Sequence, residues 1–314
     1  MYPKEVREIF SDEEIEQLKE DGYSERDLIG LALFKRMIDM GLTDEEMDMI
    51  FFQSFTETIE EYCGSEAAEE LNSPVIMQTT PSTVKYADVE FFLANAKVAA
   101  EKANVPIAMH LDHGNSFELA IKAFRAGYTS VMIDGSTKSF QENVELTKNV
   151  VRVAKVFGVD VEAELGHVGN GDSIDAIDNT NYYTKVEDAV RFVEQTGCDS
   201  LAIAVGNAHG PYVKTPNLDL ERIYAIRKKV NIPLVLHGCS DIPEEQMKEA
   251  VNLGMSKFNI ATEYFRTMYQ SIEKRINNQE FEGNGVKLMY DIKEEMIDFV
   301  IQKIRLLNPN KYSM

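Results

Sequence analysis

The chain has 314 residues, 44% apolar and 27% charged, with 53 Asp and Glu against 32 Lys and Arg and a formal net charge of −21. Such an excess of acid excludes nucleic acid as the main partner, because phosphate binding needs clustered Lys and Arg. No run approaches the roughly 20 apolar residues of a membrane helix, the N-terminus reads as no leader peptide, and Cys63, Cys198 and Cys239 form no CxxC pair, so the expectation is a cytoplasmic protein with reduced thiols and no membrane partner.

In chain order, residues 1–48 read as an acidic helical extension (SDEEIEQLKEDG, SERDLIGLALFKRMIDMG, TDEEMDMI), with Ser or Thr ahead of Glu or Asp at capping positions. It can brace the rest of the chain or make a subunit contact. From 49 to 314 the spacing predicts a catalytic domain of alternating strands and helices. Strands are expected at MIFFQS (49–54), PVIMQ (74–78), PIAMHL (106–111), SVMID (130–134), VDVEAEL (159–165), SLAIAVG (200–206), PLVLHG (233–238) and KFNIA (257–261). Between them lie segments of helical periodicity such as SFELAIKAFRAG and QENVELTKNVVRVAKVFG, each stopped by glycine. Strands apolar throughout suggest burial on both faces. Eight of them alternating with helices predict an α/β fold of the closed (β/α)8, TIM-barrel kind. A doubly wound sheet is the competitor, but it would want a glycine-rich phosphate loop after its first strand, and none is present. Residues 167–183 read as a long functional loop, and 283–306 as one more helix or two.

Barrel enzymes carry their chemistry just past the C-terminal ends of the strands. All five histidines of this chain fall at such positions. His113, His209 and His237 come from three different strand ends and can meet over the barrel mouth, a set that suits Zn²⁺ with one position left open. His110, three residues before His113, is expected to point to the other side of the strand and to act as a support. Asp112, beside a ligand, is placed to move a proton on the substrate. Glu164 can brace or coordinate the metal, or serve as a buried hydrogen-bonding residue. Asp172, on the long loop, can swing in once substrate is bound.

The stretches HLDHGNSFELAIKAFRAGYTSVMIDGS, EAELGHVGN, DSLAIAVGNAHGPY, LVLHGCS and SKFNIATE, dense from about 73 to 265, resemble the class II, zinc-dependent ketose-bisphosphate aldolases in order and spacing. The resemblance implies zinc on His113, His209 and His237, with Glu164 close by. It also implies Asp112 as the group exchanging a proton with the hydroxyl beside the bond that breaks, and Asp172 as the loop carboxylate that protonates the resulting enediolate. Gly210, Gly238, Ser240, Asn259, Thr262 and Thr80 match positions that hold the substrate's phosphate, often above a monovalent cation (Na⁺ or K⁺). The products implied are dihydroxyacetone phosphate and an aldehyde, and a homodimer or homotetramer is expected. FNIATE matches the tagatose-type branch. Lys257 is the one lysine placed for a Schiff base, a route that the metal makes unnecessary.

Three departures stand out. Asp241 replaces the second glycine of the family's HGxSG, putting a carboxylate beside the phosphate position, where its charge would oppose a dianion. The proton-transfer loop reads GNGDS, and Ser54 and Thr56 stand where the family has its first-strand asparagine motif. Competing readings are a zinc-dependent lyase or hydrolase of another type and a non-catalytic regulatory relative.

Overall fold

The computed structural model describes residues 11, 14–15, 63–169, 171, 179–278 and 285–308. The chain divides into two compact units, Met1–Ile59 and Glu60–Met314. In the first, Ser11 and Glu14 form the expected capping box: the Ser11 N–H donates to Glu14 Oε2 at 2.8 Å, and the Glu14 N–H to Ser11 Oγ at 3.3 Å. The other expected N-terminal helices, the strand at 49–54 with Ser54 and Thr56, and Asp172 lie outside the described residues.

The second unit opens on helical residues 63–71 and continues β1 (Val75–Thr79), α1 (Pro81–Ala87), α2 (Val89–Lys102), β2 (Ile107–Gly114), α3 (Phe117–Ala126), β3 (Ser130–Ile133), α4 (Phe140–Phe157), β4 (Asp160–Leu165), α5 (Val186–Thr196), β5 (Ser200–Ile203), α6 (Leu220–Arg227), β6 (Leu234–Leu236), α7 (Glu244–Asn252), β7 (Met255–Phe258), α8 (Thr262–Asn277) and α9 (Gly285–Leu307). The tail is thus a single helix. The strands form one parallel sheet in the order β1-β2-β3-β4-β5-β6-β7. Strand order never reverses, so the switch point of a doubly wound sheet is missing from the described residues and that competitor falls. Local signals account for the helix limits: Ser116 and Ser139 cap α3 and α4 by accepting from the N–H three residues on, while Gly127, Gly158 and Gly197 end α3, α4 and α5 in the left-handed conformation. Among the described residues no helix is long and apolar enough to cross a membrane.

The main core lies between sheet and helices. Leu111, Val131, Ile133, Val161, Leu201, Ile203, Leu234 and Leu236 from the strands pack with Phe92, Phe124, Val150, Phe192, Ile223 and Met247 from the helices. Each such side chain contributes about 1.5–3 kcal/mol by leaving water. The alternate strand positions face the other way, where the described residues form a small apolar cluster, Met132, Ala202 and Val235. That second face also carries the buried polar residues His110, Asp112, Glu162 and Glu164. Burial on both faces holds for β3, β4 and β6 but not for β1 or β7, whose exposed and half-buried positions mark them as the outer strands of the described sheet. A cavity of about 750 Å³ is lined by both of these strands and by α9, through Pro74, Ile76, Lys257, Phe258, Phe299 and Lys303.

Candidate metal centre and active site

The strand β2 does not end at His110–Leu111 but runs on to Gly114, with an irregular register against β3 between Leu111 and Gly114 and with His113 at φ +49°. In an unbroken strand, residues 110 and 113 would face opposite sides. The irregularity brings His113 back to the polar face that already holds His110 and Asp112. His110 still stands apart from the metal-facing nitrogens, but for another reason than direction: it lies deeper, its Nδ1 2.7 Å from Ser130 Oγ and its Nε2 3.4 Å from Lys257 Nζ.

Three imidazoles converge as the spacing predicts. His113 Nε2 is 3.1 Å from His209 Nε2 and 2.9 Å from His237 Nδ1. Nitrogens bound at about 2.0–2.1 Å around a tetrahedral zinc stand about 3.3 Å apart, so the set needs only a slight opening to take an ion. The opposite nitrogens of His113 and His237 are already committed. His113 Nδ1 donates to Asp134 Oδ2 at 3.0 Å, and His237 Nε2 donates to Glu162 Oε1 at 2.8 Å. Such partners fix the tautomer and leave the metal-facing nitrogen with its lone pair. Burial disfavours the charged form of His113, yet the Asp134 hydrogen bond and the Asp112 and Glu164 carboxylates outweigh it and raise its pKa to about 9. His209 is held neutral, with burial and the two neighbouring histidines lowering its pKa to about 4. The neighbouring carboxylates thus favour positive charge in this pocket, and the three imidazoles could hold a metal ion there.

Glu164 reaches the same place from β4. Its Oε1 accepts from the Val168 N–H at 3.2 Å, while its buried Oε2 has no partner among the described residues. Together with His113 and Asp134 it forms a second possible ligand set. Burial and the Asp134 charge raise its pKa to about 7. Asp112, 9% exposed, accepts from Asn259 Nδ2 at 3.0 Å, and the same amide nitrogen lies 3.3 Å from His237 Nδ1. Burial opposes its charge, but His237, His113 and Lys257 prevail and hold its carboxyl below the usual range. An ionised base and a metal-facing imidazole therefore stand on either side of one amide. The Asn259 Oδ1 is buried and without a partner among the described residues.

Beneath this layer lies a network that sequence reasoning missed. Lys257 Nζ donates to Glu162 Oε2 at 2.8 Å, so a chain of contacts runs Lys257–Glu162–His237. Burial would raise the Glu162 pKa, but Lys257 and His237 drive it far below the usual carboxylate range. Lys257 is one half of a buried ion pair, not a free amine awaiting a carbonyl. Replacing it with methionine strands the Glu162 charge, which costs about 3–5 kcal/mol and lowers Tm by about 10 °C. Any metal ion held by the three histidines would bind about 10–100-fold more weakly through the loosened His237. A variant with unchanged melting and unchanged zinc affinity would contradict the assignment. Borohydride added during turnover of the unmodified protein traps no adduct at Lys257.

Loops after β5 and β6 carry His209 and His237, and a brace joins them. Tyr212 Oη accepts from the Ala208 N–H at 2.7 Å and donates to the Gly238 carbonyl at 2.9 Å, and Asn207 Nδ2 donates to the His237 carbonyl at 3.0 Å. The approach is so close that a Cβ on Gly238 would sit 2.0 Å from the Ala208 oxygen. Only glycine fits there.

Of the expected phosphate positions, Gly210 at φ +78° opens onto free space. Ser240 Oγ accepts from the Glu263 N–H at 3.0 Å, at the start of α8, where Thr262 is the first residue. Thr80 is elsewhere engaged, as the N-cap of α1 with its hydroxyl 2.7 Å from Ser82 Oγ. His167 stands 3.4 Å from Ser136 Oγ and edge-on to Tyr182.

A parallel sheet of βα units carries a three-histidine pocket flanked by carboxyls, a set of groups that could hold a metal ion. The family model for class II fructose-bisphosphate aldolase matches residues 54–311, and the chain belongs to that family. It is 39% identical over 241 residues to the Escherichia coli K12 protein YdjI, covering 77% of this chain and 85% of that one. A crystal structure described as the YdjI aldolase superposes with a TM-score of 0.68 at 34% identity, over 80% of this chain and 87% of that one. A putative fructose-1,6-bisphosphate aldolase from Coccidioides immitis gives 0.68 at 29% identity, over 80% and 88%. The fructose-bisphosphate aldolase of Campylobacter jejuni shares the fold, with a TM-score of 0.64 at 24% identity over 85% and 95%.

Proposed function

We propose that this protein is a zinc-dependent aldolase that cleaves a ketose phosphate to dihydroxyacetone phosphate and an aldehyde, and that its fold is of the closed (β/α)8 kind. The observation that carries the reading is the meeting of His113 Nε2, His209 Nε2 and His237 Nδ1 beside ionised Asp112. His113, His209 and His237 would hold the metal, with Glu164 as an exchangeable fourth ligand. The bound ion supplies Lewis-acid polarisation of the ketone oxygen.

The remaining steps belong to side chains. Asp112 accepts the proton of the hydroxyl next to the scissile carbon–carbon bond. That O–H pair becomes the new carbonyl, the bond breaks, and its electrons form the enediolate of dihydroxyacetone phosphate. Asn259 Nδ2 holds Asp112 in line through its 3.0 Å contact. Asp172 returns a proton to the enediolate carbon. Gly210, Gly238, Ser240, Asn259 and Thr262 hold the phosphate, with backbone amides and hydroxyls as the donors. A Na⁺ or K⁺ bound by nearby carbonyls would offset the phosphate charge.

The test is a coupled assay for dihydroxyacetone phosphate across a panel of ketose phosphates. Release that disappears with chelator and returns with Zn²⁺ is the expected result. Release unaffected by chelator, or from no member of the panel, would sink the reading.

A further inference from the structure

We propose that Arg266 is a specificity-determining residue at the phosphate end of the substrate, cancelling the Asp241 charge so that a cradle carrying a carboxylate still accepts a phosphate ester. The inference deepens the aldolase reading and rests on it. Asp241 directly follows Ser240 and holds the left-handed backbone, φ +62°, that a glycine would take without cost. Considered alone, its charge would repel a dianion. It is not alone.

Arg266 grips it end-on, with Nη1 2.9 Å from Oδ2 and Nη2 2.5 Å from Oδ1. This two-point geometry is the strongest that the pair can make. Arg266 lies one helical turn beyond Thr262, on the same side of α8. A second ion pair completes the frame: Lys303 Nζ reaches Glu263 Oε1 at 2.7 Å and Oε2 at 2.8 Å, and the N–H of Glu263 donates to Ser240 Oγ. The charges of the two pairs sum to zero. The remaining Arg266 N–H groups have no partner among the described residues and are free to meet an anion. The side chains are 40% and 33% exposed, so the pair adds little to folding stability. Its effect falls on whatever charge enters the cradle.

The test uses zinc-loaded full-length protein and the variants Arg266→Ala, Asp241→Gly and the double variant. Each is assayed in the condensation direction with glyceraldehyde and either dihydroxyacetone phosphate or dihydroxyacetone. A lone carboxylate about 6 Å from a dianion, screened by water at a dielectric of about 80, weakens binding about tenfold. Arg266→Ala therefore raises KM for dihydroxyacetone phosphate about tenfold, with no matching rise for dihydroxyacetone. Asp241→Gly lowers that KM, and adding it to Arg266→Ala reverses most of the loss. Arg266→Gln, which keeps much of the side chain's packing, repeats the shift if the alanine variant folds poorly. A KM that does not move, that moves equally for both ketones, or that the second substitution fails to rescue overturns the inference. Unmodified protein active on dihydroxyacetone but not on its phosphate overturns it together with the phosphate part of the proposed function, while leaving aldol cleavage as the reaction class. Inactivity on both ketones removes the aldolase reading and this inference with it.

Discussion

Asp112→Asn lowers kcat about 10³-fold, while the zinc stoichiometry stays at that of the unmodified protein and KM changes only a few-fold. The substitution keeps size and shape in a position that is 9% exposed. The new amide can still present its oxygen to Asn259 Nδ2, so the 3.0 Å contact survives. Only the base is lost. Neighbouring cationic groups hold the native carboxyl ionised well below its ordinary range, which is the state that a proton acceptor needs at neutral pH. General-base catalysis is worth 10²–10⁴-fold, and the neighbouring carboxylates are otherwise engaged: Glu162 is paired with Lys257 and His237, and Glu164 accepts from the Val168 N–H, with burial and the Asp134 charge raising its pKa to about 7. Steady-state kinetics with parallel zinc titration check the result. A variant that retains a tenth of the native kcat would move the base elsewhere.

What was legible from the sequence follows a physical line. Strand runs such as VDVEAEL and PLVLHG announce themselves because one face must enter the core under the helices. All seven described strands fall within a few residues of expectation. The seventh begins at Met255, two residues early, because Leu234 pairs with Met255 before a register shift. The strand ends gave the histidines, since a parallel βα array has one chemical end. Illegible were the contacts that cross the sheet. Lys257 meets Glu162 from 95 residues away, and Arg266 meets Asp241 from 25. Neither pairing leaves a periodic trace. Asp241 therefore read as a lone opposing charge, and His110 as a residue turned aside by strand alternation. A signal for the first was present, unused, in the arginine of KFNIATEYFRTMY, which follows Thr262 by one helical turn. The second required knowing that β2 is irregular at His113, and a positive φ on a histidine leaves no mark in composition.

The three-imidazole pocket makes the other large prediction, and it separates a metal ligand from a structural residue. His209→Ala weakens zinc by about 10²–10³-fold in Kd, taking roughly 3–4 kcal/mol as one ligand's share of a zinc site. Turnover is lost with the metal. Melting of the metal-free protein changes little by comparison. His209 is neutral in that state, with burial and its two neighbours holding its pKa near 4, so its removal strands no buried charge. Relief from the His113 imidazole 3.1 Å away, with the His237 ring centroid at 5.9 Å, offsets part of the lost packing. Zinc added to the unmodified protein raises Tm, because the ion binds the folded chain in preference to the unfolded one. In the variant that rise shrinks toward zero at the same zinc concentration. A residue that merely filled the pocket would behave in the opposite sense, lowering the metal-free Tm and leaving the zinc-induced rise in place. Calorimetry with and without zinc distinguishes the two, and full zinc stoichiometry with native affinity in His209→Ala would remove this histidine from the ligand set.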